Sequence, residues 1–312
     1  MNNIVCLIGP TASGKTALSL ELASRFPLEI ISVDSAMIYR DMTIGTAKPT
    51  ITELNGVPHH LIDICNPNEV FSVAEFCQMA TYLCHDILKR GKIPLLVGGT
   101  MMYFHALQNG LAVLPKADPK VRAYLVKEAY EKGWPYLHDC LANIDPESAA
   151  RIHQHDAKRI ERALEVYYLT QQPMSQLQKQ TASHDFSFRN FLLCPIERSW
   201  LHERIEMRLQ HMLNLGFIDE VEQLITKWQL TYDMPALRCV GYKQAFEYLH
   251  RACTYSEFYQ KALAATRQLA KRQLTWLRHH FNGSHIACDD IKECNQGVAR
   301  IIEILDNTAS YY

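Results

Sequence analysis

The part of this 312-residue sequence that most clearly carries chemistry is the segment Gly9-Pro10-Thr11-Ala12-Ser13-Gly14-Lys15-Thr16. Its spacing is that of a phosphate-binding loop, and it lies between a strand-like run and a helix-like run. Glycines let backbone N–H groups converge on phosphate oxygens, the following helix start adds a positive dipole, and Lys15 adds a full charge. Thr16 is placed to give its hydroxyl to a Mg²⁺ ion bridging the phosphates. The segment predicts a polyphosphate ligand without specifying which one.

A carboxylate and a hydroxyl follow two further strand-like runs. Asp34 comes after Ile30–Val33, and Thr100 comes after a Gly-Gly pair that closes the run Pro94–Val97. Because ligands of parallel α/β sheets bind at the carboxyl ends of the strands, we expect both side chains to face the phosphate loop. Asp34 could there hold a metal ion or accept a proton from a nucleophile. A helix cap and a buried ion pair are its alternative roles.

These residues need a scaffold in which strands and helices alternate. Apolar, β-rich runs predict strands at Ile4–Ile8, Glu29–Val33 and Pro94–Val97. A helix-like run follows the phosphate loop, and Ser72 with Glu75 three residues later matches a capping box that opens a longer helix. The pattern predicts an α/β fold, namely a P-loop NTPase-like parallel sheet with helices on both faces.

A second region differs from this pattern. Residues 116–186 are almost entirely helical in pattern and end in a polar, glutamine-rich stretch. Strand character returns at Phe191–Ile196, and helices follow to about Phe281. We therefore predict a P-loop-containing catalytic core formed by residues 1–115 and 187–312, interrupted by a helical insertion domain at 116–186.

Composition and charge limit the class of protein. Hydrophobic residues make up 48% and charged residues 21%, which is ordinary globular usage and excludes disorder or a fibrous repeat. No apolar run is long enough to span a bilayer, no cleavable signal is evident, and the cysteines form no CxxC pair, so we expect a soluble, cytoplasmic protein with reduced thiols. Although the net charge is −1, no acidic residue lies between Glu257 and Asp289, and that stretch carries several cations. Such a basic strip suits a polyanionic partner.

Several segments together resemble the bacterial tRNA dimethylallyltransferase (isopentenyltransferase) family. They are Gly9–Thr16, Ser32–Ser35, Ile44–Pro49, Val57–Asp63, Val97–Thr100, Arg159, Arg162–Glu165, Arg238–Lys243 and Thr266–Gln273. They span nearly the whole chain in the right order, which is far more specific than a lone phosphate loop.

The resemblance implies a reaction and a set of roles. Members of this family transfer the dimethylallyl group of dimethylallyl diphosphate to the N6 amine of adenosine 37 in tRNAs that read codons beginning with U, and they release diphosphate. By resemblance, Asp34 is the general base, Lys15 pairs with the leaving diphosphate, and Thr16 with Mg²⁺ neutralises it. Thr100 contacts the reacting end of the substrate. Arg208 is the expected second cation on the diphosphate, with a solvated surface arginine as the alternative.

The expected partners are the anticodon stem-loop of tRNA and dimethylallyl diphosphate, with no obligate protein partner and a monomeric chain. A stacked adenosine must be turned out to expose its amine, and basic contacts elsewhere offset that cost. On a helix, Arg267, Lys271 and Arg278 share a face, whereas Trp276 points the other way, towards the core. Resemblance assigns tRNA contacts to Asp34, Ser35, Ala36, Met37, Thr100, Arg122, Lys158, Arg159, Ile160, Glu161, Arg162, Arg238, Cys239, Val240, Gly241, Tyr242, Lys243, Lys271, Arg272 and Arg278.

The sequence departs from the commonest family pattern at four positions: Met37, Asp41, Thr43 and Met101. These departures bear on the shape of the nucleobase pocket and not on the reaction class. Two other functions are open on the residues alone: a small-molecule P-loop kinase, and an RNA-binding regulator switched by a nucleotide. The kinase leaves the basic helices and the helical insert unexplained, and the regulator lacks a water-positioning residue. The C-terminal histidines and cysteines do not have zinc-site spacing.

Overall fold

The computed structural model describes residues 2–112, 114–179 and 186–309, and within them a parallel sheet positions the predicted site. The sheet has six strands in the order β3-β2-β4-β1-β5-β6, all pairs being parallel. The strands are β1 (Asn2–Ile8), β2 (Leu28–Val33), β3 (His59–His60), β4 (Ile93–Gly98), β5 (Phe186–Cys194) and β6 (Ser284–Ala287).

Helices cover both faces of this sheet. They are α1 (Lys15–Ala23), α2 (Ile51–Leu54), α3 (Val73–Lys89), α4 (Met101–Asn109), then α10 (Arg198–Asn214), α11 (Phe217–Trp228), α12 (Tyr242–Leu249), α13 (Tyr255–His280) and α14 (Ile291–Ala309). Along β1, Ile4 and Cys6 face a core shared with α3 and α13, whereas Val5 and Leu7 face a core shared with α1 and α14. This alternation within a fully buried strand explains the continuous apolar run in the sequence. The predicted fold class is confirmed.

The remaining helices form a separate compact unit. They are α5 (Pro119–Lys132), α6 (Trp134–Ile144), α7 (Pro146–Arg151), α8 (Ala157–Thr170) and α9 (Met174–Gln178). Their own core contains Leu125, Leu141, Ile160 and Leu164, among others. Asp118, Asp145 and Asp156 cap helices α5, α7 and α8 by accepting backbone N–H hydrogen bonds.

The chain divides into Met1–Gln108 with Asp185–Tyr312, and Asn109–His184. The first boundary therefore lies before the one placed at residue 115 from the sequence. Its physical reason is local: Leu114 packs on the core of the helical unit, and the carbonyl of Pro115 accepts a hydrogen bond from Arg162 Nη2 at 2.8 Å. The predicted insert ends at residue 186, but Phe186 is the first residue of β5 and pairs with Asn2 of β1; residues 180–185 before it lie outside the described residues.

Candidate active site

The phosphate loop is a tight turn between β1 and α1. Gly14 has a φ of 90° and Ala12 a φ of 63°, both in the left-handed region. A Cβ on Gly9 would lie 2.8 Å from Ser13 Oγ and 2.9 Å from the carbonyl of Leu193, so only glycine fits where the loop leaves the sheet. The Lys15 ammonium donates to the Pro10 carbonyl at 2.6 Å, which folds its side chain back over the loop.

A second cation stands next to this loop, on α10. Arg208 donates from Nη2 to the carbonyl of Thr46 at 2.9 Å. Burial and the nearby Arg208 lower the pKa of Lys15 to about 8, with Asp34 acting in the opposite direction. Burial likewise lowers the pKa of Arg208, again opposed by Asp34. Two desolvated cations beside one carboxylate are electrostatically suited to a multiply charged anion.

Asp34 and Thr100 lie side by side at the carboxyl ends of β2 and β4. Asp34 Oδ1 accepts from the backbone N–H groups of Ala36 at 2.8 Å and Met37 at 3.2 Å, which fixes the carboxyl group at the start of the next turn. Among the described residues no hydrogen bond is made to Oδ2, which is therefore available to a substrate. Thr100 Oγ1 accepts from the N–H of Ser35 at 2.9 Å.

Gln273 on α13 joins the two halves of this site. Its Oε1 accepts from the backbone N–H of Thr11 at 2.9 Å, and its Nε2 donates to the carbonyl of Gly99 at 2.8 Å. Its side chain is buried. Gln273 is the last residue of the family segment Thr266–Gln273, but no role was predicted for it from the sequence, although helical spacing places it in register with Thr266, Leu269 and Trp276, which all line the same cavity.

One cavity of about 690 Å³ connects these groups. Its lining includes the polar side chains of Lys15, Thr16, Asp34, Thr100 and Arg208, together with apolar side chains that were not predicted from the sequence. These are Ile38, Ile205, Leu209, Met212, Phe217 and Leu269, among others. The arrangement suits a ligand with a charged end and a hydrocarbon end.

Comparisons with known proteins identify the family. The IPP transferase family matches residues 37–280, and the isopentenyl transferase family matches residues 2–69. A tRNA dimethylallyltransferase of Legionella pneumophila is 56% identical over 314 residues, which cover 99% of this chain and 100% of the relative. The chain belongs to the IPP transferase family. A tRNA dimethylallyltransferase of Nitrosomonas eutropha is 52% identical and covers 88% of this chain and 87% of its own length.

Solved structures agree with the IPP transferase assignment. The full-length tRNA isopentenylpyrophosphate transferase of Bacillus halodurans is similar with a TM-score of 0.71 and 36% identity, covering 100% of this chain and 99% of its own. A eukaryotic dimethylallyltransferase acting on tRNA has a TM-score of 0.80 at 24% identity, covering 97% and 78%, which supports the fold alone. The predicted family and enzyme class, a prenyltransferase, are confirmed.

In the sheet-containing unit of this IPP transferase, the residues expected at tRNA divide into two groups. Those that line the cavity are Asp34, Ser35, Ala36, Met37, Thr100, Arg238, Cys239, Val240, Gly241, Tyr242 and Arg272. Lys271 and Arg278 instead lie exposed on α13. Lys243 Nζ sits 5.3 Å from the centre of the Tyr232 ring. The basic strip thus has an outer part and a part that opens into the cavity.

For α13, one expectation needs correction and one is confirmed. Arg267 does not extend the exposed strip, because its Nη2 pairs with Glu206 at 3.1 Å. Trp276 packs against the core, as expected, and it also lines the cavity, with its ring 4.6 Å from the ring of His280. A helical projection gives the relative directions of side chains, but it does not show which face meets the core and which meets a cavity.

The helical unit holds the other residues expected at tRNA. Arg122 and Arg162 both pair with the fully buried carboxylate of Glu165, so their guanidinium groups are partly committed to the unit's own structure. Lys158 and Arg159 are exposed at the start of α8. Each forms an ion pair with a carboxylate three positions away in the sequence, Lys158 with Glu161 and Arg159 with Asp156. The side chain of Ile160 is fully buried and that of Glu161 nearly so. Lys158 and Arg159 are therefore the cations of this segment whose side chains are mostly exposed.

Acidic, histidine and cysteine side chains do not gather into a metal-binding cluster anywhere in the described ranges. The C-terminal histidines and cysteines accordingly form no such site there. Over the same ranges, none of the helices is both long and apolar enough to cross a bilayer.

Proposed function

We propose that this protein transfers the dimethylallyl group of dimethylallyl diphosphate to the N6 amine of adenosine 37 in tRNAs that read codons beginning with U, releasing diphosphate. Family membership supports the reaction class. The observation that carries the finer assignment is that Lys15, Arg208 and Asp34 line one cavity together with several apolar side chains. A prenyl diphosphate has the matching polarity along its length.

The phosphate end is assigned to the loop and its two cations. We assign the backbone N–H groups of the loop and the N-terminus of α1 to hydrogen bonds with the diphosphate. The positive charges of Lys15 and Arg208 are assigned to ion pairs with it. Burial lowers the pKa of both groups, and nearby cations lower it further, namely Arg208 for Lys15 and Arg204 for Arg208; a bound anion would offset these unfavourable contributions. These groups stabilise the negative charge that grows on the leaving diphosphate as the carbon–oxygen bond breaks.

The residues also fit Mg²⁺. This ion keeps much of its hydration and commonly binds through one or two protein groups plus substrate phosphates. Thr16, exposed at the first turn of α1, offers a hydroxyl next to the phosphate position, and no larger carboxylate set is needed. Bound there through Thr16, the ion would supply further charge neutralisation on the diphosphate.

Asp34 is assigned the role of general base, which accepts the proton of the attacking amine. The N6 amine attacks the first carbon of the dimethylallyl group, a nitrogen–carbon bond forms, and the electron pair of the broken carbon–oxygen bond leaves with diphosphate. The amine proton moves to Asp34 Oδ2, whose partner oxygen is held by the N–H groups of Ala36 and Met37. Thr100 Oγ1 accepts a hydrogen bond from the Ser35 N–H, and Thr100 forms the part of the cavity wall next to Asp34. General-base help of this kind contributes about 10²- to 10⁴-fold.

The target base must leave its stack to reach Asp34, at a cost of a few kcal/mol. The cavity wall formed by Arg238–Tyr242 is assigned to the extruded adenine, and Lys271, Arg272 and Arg278 are assigned to the RNA backbone. Lys158 and Arg159 are assigned the corresponding role in the helical unit. Backbone contacts of this type offset the unstacking cost without reading sequence.

The test is an incubation of purified protein with unmodified tRNA and Mg²⁺, with either dimethylallyl diphosphate or γ-labelled ATP. Nucleoside mass analysis should show one dimethylallyl group on adenosine 37 in the first reaction and no labelled product in the second. Phosphate transfer without prenylation would instead establish a kinase and overturn the proposal. Modification of an adenosine elsewhere would overturn the position assigned in the tRNA.

A further inference from the structure

Helix α11 holds the segment that follows β2. Glu220, in the first turn of α11, accepts hydrogen bonds through Oε2 from the backbone N–H groups of Thr43 at 2.9 Å and Ile44 at 2.6 Å. Its Oε1 accepts from the N–H of Gly45 at 3.1 Å and from the hydroxyl of Tyr242 at 2.6 Å. One carboxylate thus binds three consecutive backbone donors and a side-chain donor.

The bonded segment is also tightly packed. A Cβ on Gly45 would collide with the rings of Phe217 and Tyr242, so the chain passes directly against them. Tyr242 is only 1% exposed, and burial with the adjacent Glu220 carboxylate raises the pKa of its phenol. The phenol therefore stays protonated and donates to Glu220 throughout the neutral range.

The segment ends at Thr46, which is hydrogen-bonded to Arg208 of the proposed diphosphate site. The residue after Gly45 is Thr46, whose carbonyl accepts the hydrogen bond from Arg208 Nη2 at 2.9 Å. Thr46 Oγ1 in turn donates to the carbonyl of Met42 at 2.7 Å, which closes the segment on itself. The position of the Thr46 carbonyl, and with it the orientation of Arg208, depends on how residues 43–45 are held.

We propose that Glu220 is a positioning residue that orients Arg208 towards the diphosphate through the segment Thr43–Thr46. This inference rests on the proposed function in one respect only, the assignment of Arg208 to the diphosphate. Without the negative charge of Glu220, three backbone N–H groups lose their common acceptor and the Thr46 carbonyl is free to shift. Arg208 then loses its fixed partner and meets the anion with a poorer geometry.

The experiment measures inorganic pyrophosphate binding in the presence of Mg²⁺ by calorimetry. It compares the wild-type protein with Glu220→Gln, Arg208→Ala and the double variant. Glutamine keeps the size of the side chain but replaces one acceptor oxygen by an NH₂ group. We expect Glu220→Gln to weaken pyrophosphate binding about tenfold, the scale of one charge-assisted hydrogen bond.

The pyrophosphate affinity of the double variant is the decisive measurement. If Glu220 acts through Arg208, the double variant should bind pyrophosphate no more weakly than Arg208→Ala alone, because the second change then has nothing left to disturb. Fully additive losses would overturn the proposal, since they would show that Glu220 acts independently of Arg208. Unchanged binding in Glu220→Gln would also overturn it.

Controls separate this inference from general destabilisation and from the proposed function. Glu222→Gln changes an exposed carboxylate on the same helix and should leave pyrophosphate binding within twofold of wild type. If Glu220→Gln does not fold, the same cycle is run with Glu220→Asp, which keeps the charge but is one methylene too short to reach every donor. If Arg208→Ala binds pyrophosphate normally, the diphosphate assignment itself fails; if only the Glu220 variants bind normally, this inference alone fails.

Discussion

Gln273 Oε1 accepts a hydrogen bond from the backbone N–H of Thr11 at 2.9 Å across 262 positions of sequence. The same side chain donates to the carbonyl of Gly99, so one residue of α13 ties the phosphate loop to the end of β4. A Cβ on Gly99 would lie 2.7 Å from Gln273 Nε2, so a larger residue there would displace the Gln273 amide from this position. The helix that carries the basic strip is thus connected directly to the proposed diphosphate site.

Replacing Gln273 by alanine should loosen this connection. The change leaves the Gly99 carbonyl and the Thr11 N–H without their partner, and a buried polar group left in this way costs about 1–3 kcal/mol. We expect a lower free energy of unfolding in urea and weaker binding of pyrophosphate. Gln268→Ala, an exposed position on the same helix, is the matched control and should change neither quantity. Equal behaviour of the two variants would contradict the role given to Gln273.

The lowered pKa of Lys15 predicts that the affinity for an anion depends on pH. Burial and Arg208 lower its pKa to about 8 in the free protein, and a bound diphosphate favours the protonated form. A group whose protonated form binds the anion loses affinity as pH rises through its free-state pKa. Pyrophosphate affinity should therefore decline above about pH 8, with proton uptake on binding near that pH.

The control for this prediction is Lys15→Arg, because arginine does not titrate in this range. Its affinity for pyrophosphate is expected to be weaker overall, and its pH profile should keep only the slope caused by ionisation of pyrophosphate itself. Calorimetry between pH 6.5 and 9.5 measures both profiles. Identical slopes for the two proteins would show that Lys15 is not the titrating group.

The exposed part of the basic strip predicts a salt effect on tRNA binding. Neutralising Lys271 and Arg278 together should weaken tRNA binding and reduce its dependence on salt concentration by about two phosphate contacts. Pyrophosphate binding should be unaffected, since neither residue lines the cavity. The double neutralisation of Lys89 and Lys92, which are exposed just before β4 and so at its amino end, is the control. The tRNA affinity of both double variants is measured at several salt concentrations. Equal affinities and equal salt dependences for the two would refute the assignment of the strip to tRNA.

The local part of the site could be read from the sequence, and the long-range part could not. Gly14, Lys15 and Thr16 follow from a contiguous motif, and Asp34 and Thr100 follow from the rule that parallel strands end at one edge. Gln273 and Glu220 act on residues more than a hundred positions away. Their partners depend on how α11 and α13 pack, which neither spacing nor composition specifies.

Asp41 illustrates the same limit at a single residue. It is one of the four positions at which the sequence was expected to depart from the family pattern, and its φ of 65° lies in the left-handed region that glycine adopts most easily. The structure shows the compensation: Asp41 Oδ2 accepts hydrogen bonds from Lys227 Nζ at 2.7 Å and Trp228 Nε1 at 2.9 Å. The sequence marked the departure, but its partners on α11 became visible only in the fold.

The central claim is that Asp34 takes the proton from the attacking amine. Asp34→Asn keeps an acceptor oxygen for the N–H groups of Ala36 and Met37, so the local turn should survive. Asparagine cannot serve as the base, and the rate should fall by about 10²- to 10⁴-fold.

The most direct measurement is the single-turnover rate of dimethylallyl transfer to unmodified tRNA by Asp34→Asn, with pyrophosphate and tRNA affinities measured on the same preparation. The account predicts a rate lower by at least about a hundredfold with both affinities close to wild type. A folded Asp34→Asn protein that prenylates tRNA at the wild-type rate would contradict it.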